Sequence, residues 1–115
     1  MTSLPPSMRA VIAKGGGELA IVERTLPKPV SGEVLVKVDA AGVNRPDVLQ
    51  SKGLYPPPPG APDILGLEIA GKIVAAGEGS KVLIGQQVCA LVAGGGYAEY
   101  CAAPVGTCLS VPDSI

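Results

Sequence analysis

The chain has 115 residues, room for one domain and hardly a second, and its 9 Lys and Arg against 10 Asp and Glu leave a net charge of -1. That balance carries no basic footprint for nucleic acid. There is no His, Phe or Trp, so Ser-His-Asp and Cys-His nucleophilic sites and every His-bearing metal site are excluded. Gly and Pro make up about a quarter of the chain, yet 47% of the residues are apolar. A compact, turn-rich domain fits this composition better than disorder.

The longest apolar run, Val88 to Ala93, is far too short to cross a bilayer, so no membrane is expected. Met1 to Ala10 has no apolar core of a secretory signal. Cys89, Cys101 and Cys108 form no CxxC pair. They read as small hydrophobic residues in a reduced, cytoplasmic setting.

Residues 1–7 are expected to be a flexible leader, and residues 8–115 the folded domain. Arg9 to Ala13 and Leu19 to Arg24 read as strands joined across Gly15-Gly16-Gly17 into a hairpin. The three glycines could cradle a phosphate, but a strand follows them where that chemistry needs a helix. Glu33 to Asp39 alternates with period 2, placing Val34, Val36 and Val38 on one face and Leu35 with the charged residues on the other.

Asn44 to Gly53 then changes character. Pro46 suits the first helical position, with Arg45 held non-helical before it. Asp47 suits the first turn, Lys52 the last, and Gly53 the left-handed stop. One short helix over 46–52 is predicted. Leu54 to Pro62, with four consecutive prolines, reads as a stiff polyproline-like loop. Strands follow over Ile69 to Ala76, Gly85 to Val92, Tyr97 to Ala102 and Cys108 to Val111, with glycine turns between. The sum is a mainly β, barrel-like domain with one short helix.

Six segments in order carry a family resemblance. They are Gly32-Glu-Val-Leu-Val-Lys-Val38, Ala41-Gly-Val-Asn-Arg-Pro-Asp47, Gly53-Leu-Tyr-Pro-Pro-Pro58, Leu65-Gly-Leu-Glu-Ile-Ala-Gly71, Ile84-Gly-Gln-Gln-Val88 and Gly95-Gly-Tyr-Ala-Glu-Tyr100. The set resembles the N-terminal GroES-like domain of the medium-chain dehydrogenase/reductase superfamily, a partly open β-barrel. Within it the chain is most similar to the zinc-free NADPH:quinone oxidoreductases, the group that includes zeta-crystallin. Zinc enzymes of this superfamily carry a cysteine where this chain has Asn44, and a histidine where it has Leu67. No metal is therefore expected. The GxGxxG turn of a Rossmann domain is missing, so the chain reads as a fragment that would be inactive alone, from a parent that could be a homodimer.

The resemblance implies that Asn44 contacts the nicotinamide ribose of NADPH or orients substrate, while Asn44 could equally cap the helix. It implies a substrate-orienting role for Tyr55, whose ring could stack on a quinone and whose hydroxyl could donate to its carbonyl; packing on the proline loop is the alternative. Arg45 could meet cofactor phosphate or pair locally with Asp47. Glu68 reads as a carboxylate supporting the site, Tyr97 and Tyr100 as core or rim, and Gln50 as surface. The function implied is metal-free hydride transfer from NADPH to a quinone. The alternatives are reduction of an enone or enoyl substrate and, more remotely, a non-enzymatic co-chaperonin-like barrel.

Overall fold

The computed structural model describes residues 4–54, 56–80, 82 and 84–112. Strand β1 (Ser7–Gly15) and strand β2 (Glu18–Thr25) form an antiparallel hairpin. The turn between them needs positive φ, which Gly15, Gly16 and Gly17 supply at 95°, 63° and 88°. Strand β3 (Glu33–Ala41) leads into helix α1 (Arg45–Ser51). Strands β4 (Glu68–Ala76), β5 (Gln87–Leu91), β6 (Tyr100–Pro104) and β7 (Cys108–Ser110) follow, with a single 3-10 turn over Val105–Thr107. The second sheet is antiparallel in the order β6-β3-β4-β5-β7.

The hairpin is stitched to this sheet by isolated bridges, Ala10 to Ala98 and Ile12 to Ile64. Main-chain bonds from Val11 to Tyr97 O (2.8 Å) and from Leu65 to Val11 O (3.1 Å) continue the seam. The mainly β architecture with one short helix agrees with the sequence reading.

Two apolar clusters fill the fold. Val34 and Val36 of β3, Ile69 and Ile73 of β4, Val88 and Ala90 of β5, and Cys101 and Ala103 of β6 form the larger one. Each pair is spaced by two or four residues on its strand, so each strand turns one face inward. With no Phe or Trp in the chain, this core is aliphatic. Met8, Ala10 and Ile64 form the smaller cluster beneath the hairpin.

The structure corrects several boundaries. Leu35, read as lying on the charged outer face of β3, is buried. It pairs with Ala75 and lines a cleft with Pro6, Leu26 and Pro27, so the chain around the hairpin covers the back of the strand. Ser7, read as the end of a flexible leader, pairs with Thr25 in β1. The helix begins at Arg45, with Pro46 in second place, and ends at Ser51, leaving Lys52 as the cap. The Asn44 carbonyl accepts from both Asp47 N–H (3.0 Å) and Val48 N–H (3.3 Å), which winds Arg45 into the first turn. The strand read over 97–102 begins at Tyr100, because residues 97 and 99 instead bond β1.

Ile73 is 1% exposed at the centre of the larger cluster. Ile73→Ala is expected to cost about 2–5 kcal/mol of stability, read as a lowered urea midpoint with the slope of the transition unchanged.

Candidate functional site

The β3–α1 junction gathers side chains from three parts of the chain. Asn44 caps α1 in extended geometry, φ -124° and ψ 160°. Its main-chain N–H donates to Asp47 Oδ2 at 2.9 Å, so the carboxylate reaches back over the first turn as in a capping box. Its side-chain Nδ2 donates to Glu68 Oε1 at 3.0 Å. Glu68 opens β4, and the pairing of Ala41 with Ile69 together with the bond from Gly42 N–H to Glu68 O (3.1 Å) sets it beside Asn44. Gly42 leaves room for this, since a Cβ there would overlap the Glu68 carboxylate.

Tyr97 arrives from the glycine turn ahead of β6. Its hydroxyl donates to Asp47 Oδ2 at 2.7 Å, with Gly42 O at 3.2 Å. Gly66, at φ +104°, lies so close that a Cβ would stand 2.6 Å from Tyr97 N. A side chain at 66 would therefore push the tyrosine off Asp47.

Asp47 is 3% exposed, and its Oδ1 has no hydrogen-bond partner among the described residues. An unpartnered buried acceptor costs about 1–3 kcal/mol, and more for a charged group. Helix capping alone does not require that burial.

The local pair of Arg45 with Asp47 is not what the structure shows. Among the described residues the ion pairs are Arg9 with Glu99 and Arg24 with Asp63. Asp47 is turned inward to Tyr97, and Arg45 is left exposed at the head of the helix. Tyr97, read as core or rim, uses its hydroxyl to hold this junction. No local pattern signals that role, because its bond to Asp47 spans 50 positions. Tyr55 lies outside the described residues. Gln50 is half-buried on α1, and Tyr100 packs on the smaller cluster. Of the cysteines, Cys101 is buried, while Cys89 and Cys108 are only partly so.

Exposed apolar side chains adjoin the junction in sequence, with Val43 77% and Leu54 68% exposed. A separate groove of about 790 Å³, lined by residues including Met8, Pro58, Pro62, Gly94 and Cys101, does not include Asn44, Asp47, Glu68 or Tyr97.

The donor set does not suit zinc. The Asn44 amide is bonded to Glu68, Leu67 has no donor atom, and Asp47 is held by Tyr97. Among the described residues no three His, Cys, Asp or Glu side chains cluster as metal ligands. Asn44 is half-buried, and one of its amide hydrogens is not engaged by Glu68, while Arg45 is open to solvent.

Burial raises the Tyr97 phenol above its ordinary value of 10.0, and the Asp47 hydrogen bond and the charges of Asp47 and Glu68 push the same way. Burial pushes the Cys101 thiol from 9.0 up to about 12, with Glu33 and Cys108 adding. Both groups hold their proton more tightly folded than unfolded. Their contribution to stability is therefore complete below the unfolded values and is lost as pH rises through and beyond them. The urea midpoint is expected to fall progressively from about pH 9 upward, and Tyr97→Phe is expected to make the fall shallower above about pH 10.

Comparison with known proteins gives consistent relatives. The alcohol dehydrogenase GroES-like domain family matches residues 30–113. The human synaptic vesicle membrane protein VAT-1 homolog-like is 33% identical over 112 residues, which cover 94% of this chain and 27% of that protein. A trans-enoyl reductase of Penicillium oxalicum is 34% identical, with 100% of this chain and 34% of that protein covered. A rat quinone oxidoreductase is also 34% identical, over 94% of this chain and 35% of that protein. The crystal structure of the human VAT-1 homolog-like protein superposes with a TM-score of 0.84 at 31% identity, over 95% of this chain and 37% of that one. A mycobacterial protein solved with NADPH superposes with a TM-score of 0.81 at 34% identity, over 94% and 35%. The chain thus spans about a third or less of the length of these relatives.

Proposed function

This chain belongs to the alcohol dehydrogenase GroES-like domain family, and we propose that it is the substrate-side domain of a zinc-free, NADPH-dependent quinone oxidoreductase. The observation that carries this reading is Asn44, whose amide is held by Glu68, at the position where the family resemblance implies a cysteine in the zinc enzymes. The similarity to a quinone oxidoreductase and to a protein solved with NADPH supports it. Equal identity to a trans-enoyl reductase supports the second reading, reduction of an enone or enoyl substrate by the same hydride logic.

NADPH, when bound, supplies the hydride, so the protein's task is alignment of donor and acceptor. Asn44 would hold the nicotinamide side through its amide, and Arg45 would meet cofactor phosphate. Tyr55, in the proline-stiffened loop, stacks on the flat substrate and donates to its oxygen as negative charge develops there. The exposed Val43 and Leu54 give the same region an apolar surface. In this reading the protein works in the cytoplasm on a small molecule, without nucleic acid or membrane, and a longer protein carrying this domain would be a homodimer.

The 115-residue chain alone is expected to give no NADPH oxidation with benzoquinone above the uncatalysed rate, and to retain no stoichiometric zinc after chelator washing. In a longer protein carrying this domain, Asn44→Ala is expected to raise the KM for NADPH. Tyr55→Phe should lower kcat/KM for the quinone by about 2- to 13-fold, the worth of one neutral hydrogen bond. Unchanged quinone kinetics in a folded Tyr55→Phe protein would leave Tyr55 as a packing residue.

A further inference from the structure

Asn44 is held twice, by groups from two elements, α1 and β4. Asp47 Oδ2 takes its main-chain N–H at 2.9 Å and Glu68 Oε1 takes its side-chain N–H at 3.0 Å. The same Asp47 oxygen takes the Tyr97 hydroxyl at 2.7 Å, so two donors converge on Oδ2 while the buried Oδ1 has no partner among the described residues. A carboxylate present only to cap the helix would lie in solvent and keep both oxygens satisfied. Here the tyrosine draws it inward. Glu68 can only accept when ionised, so the amide must turn its nitrogen towards β4, which fixes the carboxamide plane.

We propose that Tyr97, acting through Asp47, and Glu68 are positioning residues for Asn44. They fix its main chain and its carboxamide so that the second amide hydrogen points in one direction, towards an acceptor oxygen of the ligand. That oxygen is a hydroxyl or carbonyl of the cofactor or substrate. The inference rests on the reading of Asn44 as a ligand-facing residue. A positioned amide gives orientation that a mobile one cannot, because a group held by a second layer of bonds loses little freedom on binding.

The test uses ¹⁵N NMR of the 115-residue chain without ligand, so its outcome is independent of the NADPH kinetics of Asn44→Ala. The Asn44 side-chain amide is assigned by its loss in Asn44→Asp. In Tyr97→Phe the Asn44 main-chain amide is expected to exchange roughly 3- to 10-fold faster, with amides of the central β3 and β4 core unchanged. In Glu68→Ala the heteronuclear NOE of the Asn44 side-chain amide is expected to drop to that of a solvent-exposed amide. Glu68→Gln, whose carbonyl oxygen can still accept, is expected to restore it. A role in packing alone would speed exchange across the sheet without singling out Asn44. The proposal is overturned if Asn44 exchange is unchanged in folded Tyr97→Phe, or if Glu68→Ala leaves the side-chain NOE at the wild-type value. Should Tyr97→Phe fail to fold, the Glu68 pair decides alone, with loss in Ala and recovery in Gln supporting the proposal and any other pattern contradicting it.

Discussion

The hydrogen bond from Tyr97 to Asp47 ties the glycine turn before β6 to the first turn of α1. The α1 side of the junction depends on that link. It pulls Asp47 under the surface, and Asp47 in turn fixes the main chain of Asn44. The junction closes because the chain leaves space at two points. Gly66 lets Tyr97 approach, and Gly42 admits the Glu68 carboxylate. Glycine is normally a weakness in a strand-rich domain. Here two of them let three distant segments meet.

The scaffold beneath is simple and aliphatic. The inward faces of β3, β4, β5 and β6 make one cluster, and the β1–β2 hairpin closes over a smaller one. The site sits where β3 leaves the sheet, next to the first residue of β4. Its geometry is thus inherited from the β3–β4 register rather than from a flexible loop. A shift by one residue would turn Glu68 to the other face and abandon Asn44.

Much of this was legible from the residues. The alternation of Val34, Val36 and Val38, the glycine turns and the stop at Gly53 mark the strands and the helix, though the strand read over 97–102 lies at Tyr100–Pro104. The helix start was misplaced by one position, because proline's restriction on Arg45 is a preference that the Asn44 carbonyl overrides with two bonds. Leu35 departs from the alternation because a period-2 pattern marks one buried face, and only the tertiary covering by Pro6, Leu26 and Pro27 shows a second. The Arg45 and Asp47 pair was inferred from nearness in sequence. In the structure Asp47 is instead buried and accepts from the Tyr97 hydroxyl. A contact across 50 positions leaves no periodic trace in one sequence.

The central claim is that Tyr97 and Asp47 are energetically coupled and that this coupling organises the junction. A double-mutant cycle with Tyr97→Phe, Asp47→Ala and the pair, followed by urea unfolding at pH 7, tests it most directly. A coupling of about 1.5–3 kcal/mol is the result the account predicts for a hydrogen bond to a charged group. Strict additivity of the two single substitutions, with all three variants folded, would contradict it.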